Sequence, residues 1–335
     1  MTRRKEITLP REASRPAGVS RGWAPWIGRF TLWSVTGALA TAGLYAATSM
    51  LWLLTPLGED PGFLAVHRGI LIGAALFGGV AFWQLFVMHR RLLPPRDASY
   101  RSLGGARVHV GLTAWNDREA IGPAVREFKA CPEVHKVVVV DNNSTDDTAR
   151  VAAEAGADAV VIETVPGYGS CCMRALAEAA EGADVVVLCE GDMTFSAHDV
   201  KKFLAYLENC DLVLGTRATQ ELRDSVTQMD WLLNPGNQIV AKLVQTRFWG
   251  TRLTDMGCTY RAIRVESYRR LAGHLRVKGN HFSPHMFIEA LKRDMRVIEI
   301  PVYFRARLGE SKGVGSNKVK ATRVALKMLE LIYTA

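Results

Sequence analysis

Two carboxylates separated by one glycine, Glu190-Gly191-Asp192, end a run of apolar and β-branched residues, Ala183-Asp184-Val185-Val186-Val187-Leu188-Cys189. A short, continuous apolar run of this kind reads as a strand buried on both faces. In an open α/β sheet, ligands bind beyond the carboxyl ends of the strands, so both acids belong in the ligand crevice. Two carboxylates this close can grip one hard divalent cation, Mg²⁺ or Mn²⁺, which in turn neutralises a diphosphate. A polar turn after a core strand would account for the same residues. Other segments tip the balance towards the metal.

A second buried run, Val137-Val138-Val139-Val140, ends in Asp141, and Ser144 or Thr145 can cap the helix that follows. A carboxylate at such a strand end can accept hydrogen bonds from a base or ribose. The first strand is not followed by G-x-G-x-x-G, which weakens a nicotinamide-dinucleotide reading. Near the C-terminus, Arg305, Arg307 and Lys312 fall within eight residues, beside Ser311, Gly309 and Gly313. A glycine-bearing loop so charged suits a clamp over phosphates, where the arginine fork binds oxygens in pairs. Three features carry less. His281 and His285 stand four apart with no further ligand and read as packing residues, Glu289 reads as structural, and the six cysteines show no zinc spacing.

Strands over Arg107–Thr113, Lys136–Val140, Ala159–Glu163, Asp184–Cys189 and Asp211–Gly215 alternate with helices over Glu119–Ala130, Asp146–Ala155, Cys171–Glu181 and Asp199–Leu207. That spacing predicts a parallel, doubly wound sheet. Further on, the pattern gives a helix over Trp231–Phe248 interrupted at Pro235-Gly236. A helix over Ser283–Arg293, a strand over Arg296–Arg305 and a basic glycine-rich loop over Arg307–Asn317 follow. Lys318–Leu331 reads as an amphipathic helix with a cationic face, suited to an anionic membrane surface or to packing on the domain.

The chain has 335 residues and a formal net charge of +9, unevenly placed. Residues 1–29 form a basic, proline-bearing tail. Two uncharged runs, Phe30–Leu54 and Gly69–Met88, are each long enough to cross a bilayer, with Arg68 able to snorkel at the start of the second. The turn between them carries Glu59 and Asp60, while Arg90, Arg91 and Arg96 follow the second run. By the positive-inside rule this is a hairpin over residues 30–90 with the N-terminus and all that follows in the cytoplasm. Gly73, Gly78 and Gly79 would let its helices approach closely. Residues 91–106 are a linker with Pro94-Pro95 and Gly104-Gly105. Reduced thiols suit a cytosolic domain.

Over Val108 to Lys312 the chain resembles family 2 glycosyltransferases with the GT-A fold, most closely the polyprenyl-phosphate (dolichyl-phosphate) sugar synthases. Thr113-Ala114-Trp115-Asn116-Asp117 stands where that family has P-T-Y-N-E, and Asp141-Asn142-Asn143-Ser144-Thr145-Asp146 is similar to its D-D-G-S-T-D. Gly167-Tyr168-Gly169 matches its G-x-G turn. Glu190-Gly191-Asp192 lies at its D-x-D, with glutamate as the first acid. Gly215-Thr216-Arg217 resembles its G-S-R turn. Asp255 to Arg261 resembles D-x-x-x-G-F-R with Thr259 in place of the glycine. Glu299-Ile300-Pro301-Val302 and Arg305 to Lys312 resemble E-V-P-V and R-x-R-x-G-x-S-K.

The resemblance implies a doubly wound mixed α/β sheet of GT-A type over residues 107–317, preceded by the hairpin and followed by the amphipathic helix over residues 318–335. It implies a metal site at Glu190 and Asp192, and catalytic roles for Asp192, Asp255 and Arg307. Substrate contacts fall to Thr113, Trp115, Asp117, Asp141, Asn142, Gly169, Gly191, Arg217, Arg261, Arg305, Ser311 and Lys312, with Trp115 placed to stack on the base. The expected activity is metal-dependent, inverting transfer of a sugar from a nucleotide-diphosphate sugar to polyprenyl phosphate on the cytosolic face of the cell membrane. A lipid phosphate is already anionic and needs no general base, whereas a hydroxyl acceptor needs one, for which Asp255 is the candidate. Transfer to a hydroxyl of a lipid or polysaccharide, and a catalytically dead membrane scaffold, are the alternatives. Two membrane runs are too few for a polymer-secreting channel. Nucleic acid is not an expected partner, since aromatic RNA-binding signatures are missing; a homo-oligomer is compatible with the sequence.

Overall fold

The computed structural model describes residues 24–56, 60–84, 91–92, 97–225, 227, 233–309, 324 and 326–332. Most of the expected basic tail, Glu59, Arg90, Arg96, Ser311 and Lys312 lie outside the described residues.

Two long helices come first, α1 (Ala24–Leu54) and α2 (Pro61–Trp83). Both start before the expected bounds of Phe30 and Gly69. Asp60 caps α2 by accepting from the Phe63 N–H at 2.7 Å, and Pro61 sits in the first turn, where a missing N–H is harmless. Trp33–Leu54 and Pro61–Trp83 are each long and apolar enough to cross a membrane. They pack on each other. The Ser34 hydroxyl donates to Gln84 Oε1 at 2.6 Å, and Thr48 Oγ1 lies 2.9 Å from His67 Nδ1, whose ring stacks on Tyr45. Close approach falls at Gly37 against Phe77 rather than at Gly78 and Gly79, which face nothing.

After β1 (Arg91–Leu92), the main sheet is built from β2 (Val108–Ala114), β3 (Lys136–Asp141), β4 (Ala159–Ile162), β5 (Val185–Glu190) and β6 (Leu212–Thr216). β7 (Phe248–Trp249) pairs with β1, while β8 (Arg261–Arg264) and β9 (Val297–Pro301) complete the main sheet. Its order is β4-β3-β2-β5-β8-β6-β9, parallel throughout except for β8. The five strands of the predicted alternation run parallel to one another, and the reversed β8 makes the sheet mixed, as the resemblance implies. β8 carries buried arginines at both ends, a composition that hides a strand; the Arg264 guanidinium donates to the carbonyls of Leu207, Cys210 and Arg101.

Helices α3 (Arg118–Lys129), α4 (Thr148–Glu154), α5 (Tyr168–Ala180) and α6 (Val200–Leu207) connect the early strands. α7 (Leu233–Arg247), α8 (Val265–Ala272) and α9 (Phe282–Lys292) follow. α7 is not interrupted at Pro235-Gly236, because the proline falls in its first turn. Strands β2, β3, β5 and β6 are buried on both faces, as their apolar runs require: Val138 and Val140 face a core with α5 and α9, Val137 and Val139 one with α3 and α6. The chain is helical again at 324 and 326–332, where Met328 and Ile332 enter the core beside α9. The apolar side of this segment therefore packs on the domain. All six cysteines are free thiols.

Candidate active site

Strand β2 has β3 on one side and β5 on the other, so the chain reverses direction across the sheet there, the point at which α/β sheets bind ligands. Register sets Thr113 beside Glu190 and Ala114 beside Asp141. Three strand ends thus deliver Asp117, Asp141, Glu190 and Asp192 to one edge. Gly191 belongs between the acids for a steric reason. A side chain there would drive its Cβ within 2.5 Å of Ile121 Cδ1 and 3.2 Å of the Thr113 carbonyl, which accepts from the Gly191 N–H at 2.8 Å.

Asp192 is buried, with Oδ1 accepting from the Thr194 N–H at 3.0 Å and the Thr194 hydroxyl at 2.5 Å. Burial pushes its carboxyl up, the neighbouring Glu190 charge adds to this, and Arg307 opposes both. Arg307 arrives because the segment after β9 folds back. Phe304 bridges to Phe195, the Arg305 N–H donates to the Thr194 carbonyl at 2.8 Å, and the Leu308 N–H reaches the Asp192 carbonyl at 3.3 Å. The Arg307 guanidinium then meets Asp117 Oδ1 at 2.8 Å and Asp192 Oδ2 at 3.3 Å. Burial pulls its pKa down, but the two carboxylates outweigh that and hold it above the ordinary value.

The loops after β2 and β3 are stitched together. The Asn116 N–H donates to Ser144 Oγ at 2.8 Å, and Asn116 Oδ1 accepts from the Thr145 N–H at 2.7 Å. Asp141 is buried, bonded to Ser144, and pushed up by desolvation. Asn142 clamps the next loop: its amide donates to the carbonyls of Glu163 and Val165 while Oδ1 accepts from the Gly167 N–H at 3.1 Å. Gly169 is required, since a Cβ there would collide with the Val277 carbonyl. Trp115 is 48% exposed at this edge.

Comparison with known proteins decides the family. A family model described as Glycosyl transferase family 2 matches residues 110–272. An uncharacterised glycosyltransferase of Mycobacterium tuberculosis is 32% identical over 216 residues, 64% of this chain and 93% of that protein. This chain belongs to glycosyltransferase family 2. A dolichyl-phosphate hexose transferase of Haloferax volcanii is 28% identical over 205 residues, 61% of this chain and 85% of its own. The fold is GT-A-like. Glucosyl-3-phosphoglycerate synthase of Mycobacterium tuberculosis, in a crystal structure with Mn²⁺, UDP and phosphoglyceric acid, superposes with a TM-score of 0.51. That likeness covers 70% of this chain and 83% of the synthase at 17% identity.

In this glycosyltransferase several expected contacts take other positions. Asp255 is buried and gripped in parallel by Arg217, Nε to Oδ2 at 2.7 Å and Nη2 to Oδ1 at 2.9 Å. Burial pushes the Asp255 carboxyl up, yet the Arg217 charge and hydrogen bonds outweigh it and hold it below the usual carboxylate range. Glu299 fixes the loop from behind, accepting the N–H groups of Thr254 and Asp255, each at 2.9 Å. Arg305 forks onto Glu127 of α3 at 2.6 and 2.8 Å instead of facing the crevice. Arg261 is buried and donates to the carbonyls of Cys258, Thr259 and Ser283, so it holds the loop rather than a ligand.

Three residues escaped the sequence reading: Glu127, Tyr168 and Thr259. The hydroxyls of the last two both donate to Glu190 Oε1 at 2.9 Å. Thr259 left a sequence signal in standing where a glycine was expected, and Tyr168 in lying inside the G-x-G turn. As a metal site, Glu190 and Asp192 supply two carboxylates, and no cluster of three or more His, Cys, Asp or Glu ligands forms among the described residues. That donor set fits Mg²⁺ or Mn²⁺, which are held by one or two carboxylates with substrate phosphates completing the shell. His281 and His285 form no such cluster; His285 Nε2 accepts from the Arg276 N–H at 3.1 Å, a packing role. Glu289 pairs with Lys292 and Arg293, also structural.

Proposed function

We propose that the protein is a membrane-anchored, metal-dependent inverting transferase that moves a sugar from a nucleotide-diphosphate sugar to a polyprenyl phosphate on the cytosolic face. Trp115, Asp141 and the Asn116–Ser144 loops hold the nucleoside. Glu190 and Asp192 hold Mg²⁺ or Mn²⁺, which when bound supplies Lewis-acid neutralisation of the leaving diphosphate. Arg307 stands opposite and stabilises the same departing charge. The apolar hairpin brings the site to the bilayer where the lipid acceptor resides, and the Haloferax volcanii relative's name supports that acceptor class.

The observation that carries the acceptor is the state of Asp255. Both its oxygens bond to Arg217 and its proton affinity is lowered, so it is a poor general base. An anionic phosphate acceptor needs none, whereas a hydroxyl does. The test is incubation of the full chain with labelled UDP- and GDP-sugars, Mg²⁺ or Mn²⁺, and polyprenyl phosphate. Label entering the organic phase only with the lipid phosphate supports the proposal; transfer only to a hydroxyl acceptor, or none at all, overturns it.

A further inference from the structure

Glu190 is tied down through one oxygen only. Oε1 accepts from the Tyr168 and Thr259 hydroxyls, which also touch each other, while no described residue donates to Oε2. The two hydroxyls come from separate parts of the fold. Tyr168 opens α5, where the Gly169 N–H donates to the Lys278 carbonyl at 2.8 Å and fixes the turn. Thr259 precedes β8, on the loop whose carbonyls Arg261 grips at 3.1 Å from Thr259 and 2.5 Å from Cys258. Glu190 itself ends β5. Three elements therefore converge on a single carboxylate oxygen.

A glutamate has one more torsion than an aspartate, and an untethered one must be ordered when it takes up a ligand. Partners that bond a ligating carboxylate from behind remove that cost and fix which oxygen is offered. We propose that Tyr168 and Thr259 are positioning residues for the cation end of the donor site. They pin Glu190 Oε1 and thereby reserve Oε2, with the Asp192 carboxylate, for a divalent cation arriving with a nucleoside diphosphate. The inference rests on the metal-dependent reading above.

The test is Mn²⁺ binding by the full chain in detergent, followed by electron paramagnetic resonance titration with saturating UDP and, separately, GDP. Tyr168→Phe and Thr259→Val should each weaken Mn²⁺ by about tenfold or more. Thr259→Ser, which keeps the hydroxyl, should bind as the wild type does. Melting temperatures should stay close to that of the wild type. Wild-type affinity in both Tyr168→Phe and Thr259→Val, with Asp192→Asn failing to bind, overturns the positioning role and leaves the metal site standing. Weak binding by Thr259→Ser also overturns it, because the hydroxyl would not be the operative group. No Mn²⁺ uptake by the wild type with either nucleotide brings down this inference and the parent reading together. Should Thr259→Val fail to fold, Tyr168→Phe, which removes one oxygen, decides alone.

Discussion

Arg307 Nη1 lies 3.3 Å from Asp192 Oδ2, while Nη2 of the same guanidinium donates to Asp117 at 2.8 Å. Asp192 follows β5, Asp117 follows β2 and Arg307 follows β9, so one cation joins three strand ends at the carboxyl edge of the sheet. Its Nε is buried without a partner among the described residues. In the proposed reaction this guanidinium would share its charge with phosphate oxygens that enter beside the acids.

Arg307→Lys should lower kcat/KM for the donor by about 10- to 100-fold, because an ammonium cannot fork across two acceptors. Melting temperature should change little, since a positive charge still stands beside Asp117 and Asp192. Steady-state kinetics across donor concentrations, paired with a thermal melt, check this.

Asp192→Asn should reduce transfer by about a hundredfold or more, since a neutral amide is a poor partner for a hard cation. Stability should hold or rise. Burial and Glu190 already disfavour the charged form of Asp192, and the amide oxygen can still accept from Thr194. Turnover and melting temperature, measured on one preparation, give opposite signs if this is right.

Asp255→Asn should destabilise the domain by about 3–5 kcal/mol, the usual effect of breaking a buried ion pair and leaving one charge alone. Arg217 is buried in that pair, with its guanidinium over the Phe304 ring as its other neighbour. A double replacement, Arg217→Met with Asp255→Asn, should recover part of the loss. Denaturant unfolding of the four proteins closes the cycle.

The histidine contribution to stability should fall on acidification below neutrality. Burial lowers the pKa of both His109 and His285. The unfolded chain, with histidines near about 6.5, then binds protons before the folded one. Their contribution is therefore complete above that value and declines as pH drops below it, while the raised Asp192 carboxyl acts in the opposite direction. Melting temperatures at pH 7.5 and 5.5 check this: the His109→Gln, His285→Gln double variant should lose less on acidification than the wild type.

Much of the sheet was legible because its strands are unmixed apolar runs ended by acids, a pattern that burial on two faces imposes. Val137–Val140 and Val185–Cys189 fall where their sequences put them, and Asp141, Glu190 and Asp192 consequently reach one edge. The two long apolar helices were legible for a like reason, as unbroken runs long and apolar enough to cross a membrane. β8 was not, because arginines at a strand's ends reveal nothing of the distant carbonyls that make them tolerable inside. Nor was the fate of the cations: Arg217, Arg261, Arg305 and Arg307 look alike in sequence.

Local order of residues, acting through burial and backbone periodicity, determined the strands, the edge on which the acids stand and the apolar hairpin. Which charge meets which depended on contacts between segments far apart in the chain. Asp255 lies 38 residues from Arg217, Glu127 lies 178 from Arg305, and Asp117 lies 190 from Arg307. Charge attraction and hydrogen bonding select among such partners only after the strands have set their distances, and so the sheet, not the motifs, sorted one arginine into the crevice and three into the frame around it.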